Sequence, residues 1–174
     1  MLLPVLVGGW ELGWHVFYGH ERLTLFRRAQ AAARQRGKPL LVVGEPDRDA
    51  YGCGDVTVDL QPSSRRCPNG YVQASVERMP MFRDRQFGAV LCSHVLEHVC
   101  DPWAAQRELH RVADEVFIAW PRPITAVAWV IPGHRWTMHP RRDGGFDFRP
   151  IPGRRRCNIP DRRGTGAGGG FAGM

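Results

Sequence analysis

Two short apolar runs, separated by a helical pattern, dominate the middle of the chain. Residues 87–93 and 115–120 each have the unbroken apolar character of a strand that is covered on both faces of a sheet. Between them, Asp101 suits a helix N-cap and Pro102 suits the first helical position. A strand, a crossover helix and a second strand predict a right-handed parallel unit.

Polar residues directly follow the first of these runs. Ligands of parallel sheets bind beyond the carboxyl ends of the strands, so we expect Ser93, His94, Glu97 and His98 to face a ligand. The last three have the HxxEH spacing of zinc peptidases. We predict no metal, because that motif needs a continuous helix and a third ligand, whereas a strand precedes it here and no third ligand is evident. A purely structural role, in which His98 caps a short helix, is also open.

Three more apolar runs lie upstream and predict further strands. They cover residues 39–44, 55–60 and 71–76, and a turn over residues 77–80 follows the third. Gly44 ends the first run, and Asp59 lies near the end of the second. A carboxylate there offers only hydrogen-bond acceptors, which suits the binding of sugar hydroxyls at the edge of a sheet.

The order of an apolar strand, HVLEHV, DP and a helix ending in ELHRV is similar to the second half of class I S-adenosylmethionine-dependent methyltransferases of the small-molecule type. The resemblance covers residues 39–121. It implies an α/β fold with a Rossmann-like, mostly parallel sheet and flanking helices. Because only residues 121–150 remain before the composition changes, we expect some carboxyl-terminal strands of that fold to be missing. Within this stretch, residues 124–131 predict a short helix or strand, and residues 133–140 predict a polar and aromatic loop over the ligand.

The resemblance also implies a site for S-adenosylmethionine and a role for each matching residue. These roles are Gly44 and Glu45 near the methionine end of the cofactor, Asp59 and Leu60 at the ribose, Ser75 and Val76 around the adenine, and Ser93 and His94 along the pocket. His98 is the candidate to orient or deprotonate the methyl acceptor, since imidazole titrates near neutral pH. The chain departs from the family in two respects: Gly44 alone represents the usual cluster of glycines, and Ser75 replaces a common acid.

Composition divides the chain into an N-terminal arm with a basic helix (1–37), a methyltransferase-like domain (38–150) and a basic tail rich in glycine and arginine (151–174). Residues 2–18 are apolar and aromatic, but Glu11, His15 and three glycines interrupt a segment shorter than the roughly 20 residues of a membrane span. We expect this arm to pack against the domain or a neighbouring subunit, with a membrane surface as the alternative.

The formal charge of +7 comes largely from arginines near the two ends. The tail has few apolar residues and is expected to be disordered in isolation, although nucleic acid or acidic protein surfaces are possible partners for it. Five cysteines, an odd number without a CxxC pair, favour a reduced compartment, with Cys92 as a small buried apolar residue. The expected location is therefore cytoplasmic, with a membrane surface or a large assembly as the alternatives.

Two classes of function follow. The first is an S-adenosylmethionine-dependent methyltransferase that acts on a small-molecule or macromolecular acceptor. The second is an inactive relative that serves as a structural subunit, for example in a virus particle, with protein partners at both termini. Methylation of nucleic acid, with the tail as an electrostatic anchor, would combine features of both.

Overall fold

The computed structural model describes residues 3–44, 46, 51–61, 66, 67, 70–154 and 157, without the side chains of residues 3–18 and 127. The elements, in chain order, are α1 (Leu3–Gln35), β1 (Leu40–Val43), β2 (Val56–Asp59), β3 (Tyr71–Gln73), β4 (Ala89–Ser93), α2 (Pro102–Val112), β5 (Val116–Ala119), α3 (Ala126–Val130), β6 (Trp136–Pro140) and β7 (Phe146–Pro150). All five strands predicted from the apolar runs are present, each somewhat shorter than its run.

The first five strands form one parallel sheet in the order β3-β2-β1-β4-β5. Within the described residues, no further strand joins this sheet, since β6 and β7 pair antiparallel as a separate hairpin. The predicted Rossmann-like fold without some of its carboxyl-terminal strands is therefore confirmed.

Alternation along the central strands separates two apolar cores. In β1, Leu40 and Val42 pack in the core that contains the buried residues of α1, whereas Leu41 and Val43 pack in the core that contains those of α2. Successive side chains of a strand point to opposite faces, so a continuous apolar run serves both layers. Both faces of the sheet are thus covered, which leaves the strand ends as the place for a ligand.

The crossover helix α2 begins as the sequence predicted. Asp101 is its N-cap, and the carboxylate Oδ1 of Asp101 accepts a hydrogen bond from the amide of Ala104 at 2.9 Å. Pro102 takes the first helical position, where its missing amide hydrogen costs no bond. Leu109 and Val112 are buried against the sheet. The capping residues therefore set the start of α2, and its apolar face sets the side that packs on the sheet.

The predicted apolar arm and basic helix are one continuous helix, α1. Its carboxyl-terminal half buries Phe26 and small residues, among them Ala29 and Ala33, which allow close packing on the sheet. Gly37 ends the helix with a φ of +61°, a left-handed conformation that glycine adopts without strain. None of the described helices combines enough length and apolar character to cross a membrane.

Residues 133–140 differ from the predicted loop. Most of this segment is β6, which pairs with β7 and buries Thr137 and Met138. The polar residues of the segment suggested a loop, but pairing with β7 satisfies the backbone of β6 and overrides that composition. The preceding apolar segment contains the short helix α3 rather than a strand.

The prediction of reduced cysteines was wrong. Cys53 and Cys67 form one disulfide, and Cys100 and Cys157 form a second. The spacing of cysteines along the chain does not reveal which of them approach in space, because the fold brings these pairs together. Cys92 is buried within β4, as predicted, and burial raises the pKa of its thiol well above the ordinary value.

Candidate functional site at the carboxyl edge of the sheet

Residues predicted from three different strands meet at one edge of the sheet. Gly44 follows β1, Asp59 ends β2 and Ser93 ends β4, and the parallel register places these ends side by side. Glu45, the second residue predicted near the methionine end of a cofactor, lies outside the described residues. The sheet therefore brings together the strand ends on which the site prediction depended.

Gly44 lies where two loops come into direct contact. Its φ is +90°, and its amide donates a hydrogen bond to the carbonyl of Val58 at 2.8 Å. A Cβ atom at this position would lie 2.7 Å from Cγ2 of Val95 and 3.2 Å from the carbonyl oxygen of Ser93. Both the conformation and the space require glycine, so the loops after β1 and β4 form one surface.

Asp59 and Leu60 close the neighbouring strand in different ways. The half-buried Asp59 accepts a hydrogen bond on Oδ1 from the amide of Gln61 at 3.0 Å, which orients its carboxylate at the strand end. Leu60 is 70% exposed, a large apolar side chain without cover from the rest of the described chain. These two residues present a charge and an apolar surface at the same edge.

Ser75 and Val76 follow β3, which ends at Gln73, before the predicted boundary. The hydroxyl of Ser75 accepts a hydrogen bond from the amide of Glu77 at 3.3 Å and lies 3.2 Å from Oε2 of the same residue. Val76 is buried in the apolar core. Ser75 is thus bonded to Glu77 and Val76 packs in the core, and the contact of these two residues with an adenine stays a prediction.

Ser93 and His94 form the corner at which the chain leaves β4. Ser93 is buried, and its hydroxyl has no hydrogen-bond partner among the described residues. His94 has a φ of +53°, a left-handed conformation that costs free energy for a residue with a Cβ atom, and its amide donates to the carbonyl of Ala119 at 2.9 Å. The corner points polar groups toward the edge of the sheet at an energetic cost.

Glu97 lies at the centre of a group of histidines. Its side chain is fully buried, and neither carboxylate oxygen accepts a hydrogen bond from the described part of the chain. Nδ1 of His94 is 3.3 Å from Oε1 of Glu97, and Nε2 of His134 is 3.9 Å from the same oxygen. The exposed ring of His98 lies edge-on to that of His134, with 4.7 Å between the centroids.

His134 is the site residue that sequence reasoning missed. It comes just before β6 and is held there because Arg135 and Trp136 both donate hydrogen bonds to the turn after β4: the Arg135 amide to the carbonyl of Glu97 at 2.7 Å, and the Trp136 indole to the carbonyl of Val99 at 2.9 Å. No spacing in the sequence connects this histidine to the HxxEH segment. His134 comes close to Glu97 and His98, although it lies far from them in the sequence.

The argument that a zinc peptidase motif needs a continuous helix, which a strand rules out here, is confirmed. Residues 96–98 form a turn directly after β4, with the amide of His98 bonded to the carbonyl of Val95, and no continuous helix carries His94 and His98 on one face. The same turn gives no support to a helix-capping role for His98. The histidines of this segment instead converge on Glu97 from different directions.

The tautomer of His134 follows from its hydrogen bond. Nδ1 lies 3.1 Å from the carbonyl oxygen of Ala128, and a carbonyl oxygen only accepts, so Nδ1 carries the proton. Burial lowers the pKa of His134 below its ordinary value, although the bond to Ala128 and the charge of Glu97 act in the opposite direction. With Nδ1 bonded to Ala128, it is Nε2 that faces the carboxylate of Glu97.

Comparison with known proteins finds a family match for part of the chain. Residues 50–115 match the family model of the methyltransferase domain. Those residues belong to the methyltransferase domain family. The class I resemblance expected from the sequence is confirmed there, and the match includes Asp59, Ser93, His94 and His98. A search of curated proteins found no match.

Proposed function

We propose that this methyltransferase domain binds S-adenosylmethionine at the carboxyl ends of β1, β2 and β4 and transfers the methyl group to an acceptor. The observation that carries the proposal is the juxtaposition of Gly44 and Asp59 at the ends of two adjacent parallel strands. A dinucleotide or nucleoside ligand of such a sheet lies at this edge. The family match over residues 50–115 supports the choice of this cofactor.

Each strand end supplies a different kind of contact in this proposal. Gly44 lets the backbone approach the methionine portion of the cofactor closely, because no side chain fits there. Asp59 accepts hydrogen bonds from the ribose hydroxyls with its carboxylate, which the amide of Gln61 already orients. The buried hydroxyl of Ser93 is a further polar group available between these strands and the acceptor.

The bound cofactor supplies an activated methyl group, which a nucleophilic acceptor atom takes as the bond from carbon to sulfur breaks. The protein accelerates this step mainly by holding the two partners in line. His98 is the proposed orienting group or base on the acceptor side, where its exposed ring is accessible to an incoming molecule. A base is needed only when the attacking atom carries a proton.

Calorimetric titration of the untagged full chain with S-adenosylmethionine and S-adenosylhomocysteine tests the proposal. Asp59→Asn is the informative variant, because the amide oxygen of asparagine can still accept the hydrogen bond from Gln61 while the charge is lost. We expect both compounds to bind the unaltered chain and Asp59→Asn to weaken binding at least about tenfold. Asp143→Asn, an exposed change in the hairpin turn, is the control and should bind as the unaltered chain does.

The same titration distinguishes the second class of function. If neither compound binds the unaltered chain, the proposal is wrong and an inactive structural subunit is supported. Equal affinity of Asp59→Asn and the unaltered chain would contradict the role of Asp59. Partition into liposomes and binding to nucleic acid, each measured on the full chain and on chains lacking residues 2–18 or 158–174, test the partners predicted for the two ends.

A further inference from the structure

Oε1 of Glu97 and Nε2 of His134 face each other inside the protein without a hydrogen bond between them. Nδ1 of His134 lies 3.1 Å from the carbonyl oxygen of Ala128, so Nε2 is the ring nitrogen that is turned toward Glu97, at 3.9 Å from Oε1. Buried polar atoms of this kind ordinarily have partners. A cation between the two atoms would give both of them one.

Three side chains offer ligand atoms around that position. They are the carboxylate of Glu97 and the imidazoles of His98 and His134, and one ligand atom from each lies within 4.8 Å of the others. Glu97 and His134 are buried and His98 is exposed, so the group is closed on the protein side and open toward the solvent. An open position of this kind is characteristic of metal sites that also bind a ligand.

We propose that Glu97, His98 and His134 bind one divalent metal ion of the Zn²⁺ class. Two imidazole nitrogens and one carboxylate oxygen suit Zn²⁺ and its transition-metal neighbours, whereas Mg²⁺ and Ca²⁺ prefer sites made of oxygen atoms. The bond from His134 to Ala128 is the outer contact that typically fixes the tautomer of a ligating histidine. The buried carboxylate of Glu97, which lacks a hydrogen bond, is accounted for by the same ion.

Closure of the site requires only small movements. Metal bonds of about 2.1 Å in tetrahedral geometry place ligand atoms about 3.4 Å apart, so a pair separated by 4.8 Å must approach by about 1.4 Å. His98 can provide this movement, since its ring is exposed and lies in a turn. Its present position is set partly by Gly133, where an added Cβ atom would lie 3.0 Å from Nδ1 of His98.

The metal site does not depend on methyl transfer. With the ion bound, His98 would contribute to orienting an acceptor through the metal, at the open position that faces the solvent. The ion would thus bind beside the proposed cofactor position without replacing any of Gly44, Asp59 or Ser93. Loss of cofactor binding in Asp59→Asn and loss of metal binding in the variants below are separate results.

Calorimetric titration of the untagged, chelator-treated full chain with Zn²⁺ under non-reducing conditions tests the proposal. We expect one equivalent of Zn²⁺ to bind. His98→Ala and Glu97→Gln should each weaken binding at least about tenfold, since each removes or neutralises a ligand. Titration with Co²⁺ should give a visible absorption spectrum typical of nitrogen and oxygen ligands, without a thiolate band, because the disulfides and the buried Cys92 leave no accessible thiol in the described residues.

His110→Ala is the matched control, since His110 is an exposed histidine on α2 outside the cluster. It should bind Zn²⁺ as the unaltered chain does. His98→Ala changes an exposed side chain and should fold normally, which circular dichroism will verify. Failure of the unaltered chain to bind one equivalent, or binding that His98→Ala and Glu97→Gln leave unchanged, would overturn the proposal.

Discussion

The carboxyl edge of the sheet has two halves, which differ in how many side chains capable of binding an ion or transferring a proton they bring together. The half formed by the ends of β1, β2 and β3 offers a glycine backbone, one carboxylate and an exposed leucine, at Gly44, Asp59 and Leu60. The half after β4 gathers three histidines around a buried glutamate, Glu97. The first half is suited to recognising a nucleoside by shape and hydrogen bonds, whereas the second is suited to binding an ion or moving a proton.

The two halves also differ in how far the family match covers their residues. Recognition of a common cofactor requires little more than close backbone approach and one oriented acid, and both are available at the β1–β2 edge. The histidine cluster combines the segment after β4 with a residue near the hairpin, which lies beyond the residues matched by the family model. His134 therefore adds to the cluster a residue that the family match does not cover.

The largest expected effect on stability concerns the two disulfides: the 100–157 pair lies beside the histidine cluster, and the cysteines of the 53–67 pair precede the amino ends of β2 and β3. Replacing both cysteines of the 53–67 pair by serine should lower the free energy of unfolding by about 3 kcal/mol, and replacing both of the 100–157 pair should lower it by about 4 kcal/mol, because the second bond closes the longer loop. Denaturation by urea without reductant measures both values.

Functional effects should differ between the two pairs. The change at the 53–67 pair, whose cysteines precede the amino ends of β2 and β3, should leave binding of both S-adenosylmethionine and Zn²⁺ unchanged, whereas the change at the 100–157 pair, next to His98, should weaken binding of Zn²⁺. Addition of reductant to the unaltered chain is the control for both. An unchanged urea midpoint in reductant would show that the cysteines are not paired in solution.

Gly44→Ala tests the cofactor half directly. The substitution combines a left-handed backbone with contacts to Val95 and to Ser93, so we expect a loss of about 1–3 kcal/mol in the free energy of unfolding and weaker cofactor binding. Gly144→Ala is the matched control. Its φ is +84°, but nothing lies within 4 Å of the added Cβ atom, so it isolates backbone strain from crowding.

Comparison of the two variants by urea denaturation and calorimetry separates the effects. Gly44→Ala should lose more stability than Gly144→Ala and should be the only one of the two to lose affinity for S-adenosylmethionine. Equal losses of stability and unchanged cofactor affinity would show that the contact between the loops after β1 and β4 does not shape the site.

Glu97→Gln tests the cluster half. In the presence of a chelator we expect the variant to gain about 1–2 kcal/mol of unfolding free energy, because a buried carboxylate without hydrogen bonds is replaced by a neutral group of the same shape. A group retained at a cost to stability is typical of functional sites. Thermal unfolding in chelator provides the measurement.

Glu77→Gln is the informative counterpart, because the carboxylate of Glu77 accepts a hydrogen bond from the amide of Asp101. This variant should lose about 1–2 kcal/mol instead, since a charge-assisted bond is weakened. If Glu97→Gln is destabilising in chelator to the same extent as Glu77→Gln, then the carboxylate of Glu97 has hydrogen-bond partners within the protein. The inference that this buried carboxylate lowers the stability of the folded chain would then be wrong.

The smallest effect concerns pH and lies away from both halves. The hydrogen bond from Arg111 lowers the pKa of Glu108 below its ordinary value, and the amide of Met79 contributes in the same direction despite partial burial. Because the pKa is depressed in the folded state, this contribution to stability is complete above the unfolded pKa, about 4.3, and is lost as the pH falls through the folded pKa.

Glu108→Gln should therefore reduce stability at neutral pH by less than about 1 kcal/mol, as expected for a pair screened by solvent, and the difference from the unaltered chain should vanish in acid. Urea midpoints measured from neutral to acidic pH give the comparison, with the exposed change Asp147→Asn as control. A difference that persists in strong acid would contradict the assignment. Neither variant should alter cofactor or metal binding.

The strands and α2 could be predicted because their signals are local. The unbroken apolar runs of β1 and β4 are in themselves the signal of strands that are covered on both faces of a sheet. Asp101 with Pro102 defines the start of α2 without reference to the rest of the fold. The hairpin was missed because the pairing of β6 with β7, rather than the composition of residues 133–140, decides that segment.

The residues of the candidate site also differ in whether local signals in the sequence could predict them. Gly44, Asp59, Ser93 and His94 lie at the ends of strands, as predicted, since strand boundaries and parallel topology suffice to place them, while their roles toward a cofactor stay predictions. The disulfides were missed because their partners are remote in the chain. Glu45 lies outside the described residues, and the contacts of Ser75 and Val76 with a cofactor stay predictions.

The sequence by itself determined the alternating apolar strands, the capped crossover helix and the residues at the strand ends, because each depends on neighbours along the chain. Only the tertiary structure decided that His134 faces Glu97. That contact arises because Arg135 and Trp136 bind the backbone of the turn after β4, and hydrogen bonds between distant segments leave no periodic signal in a sequence.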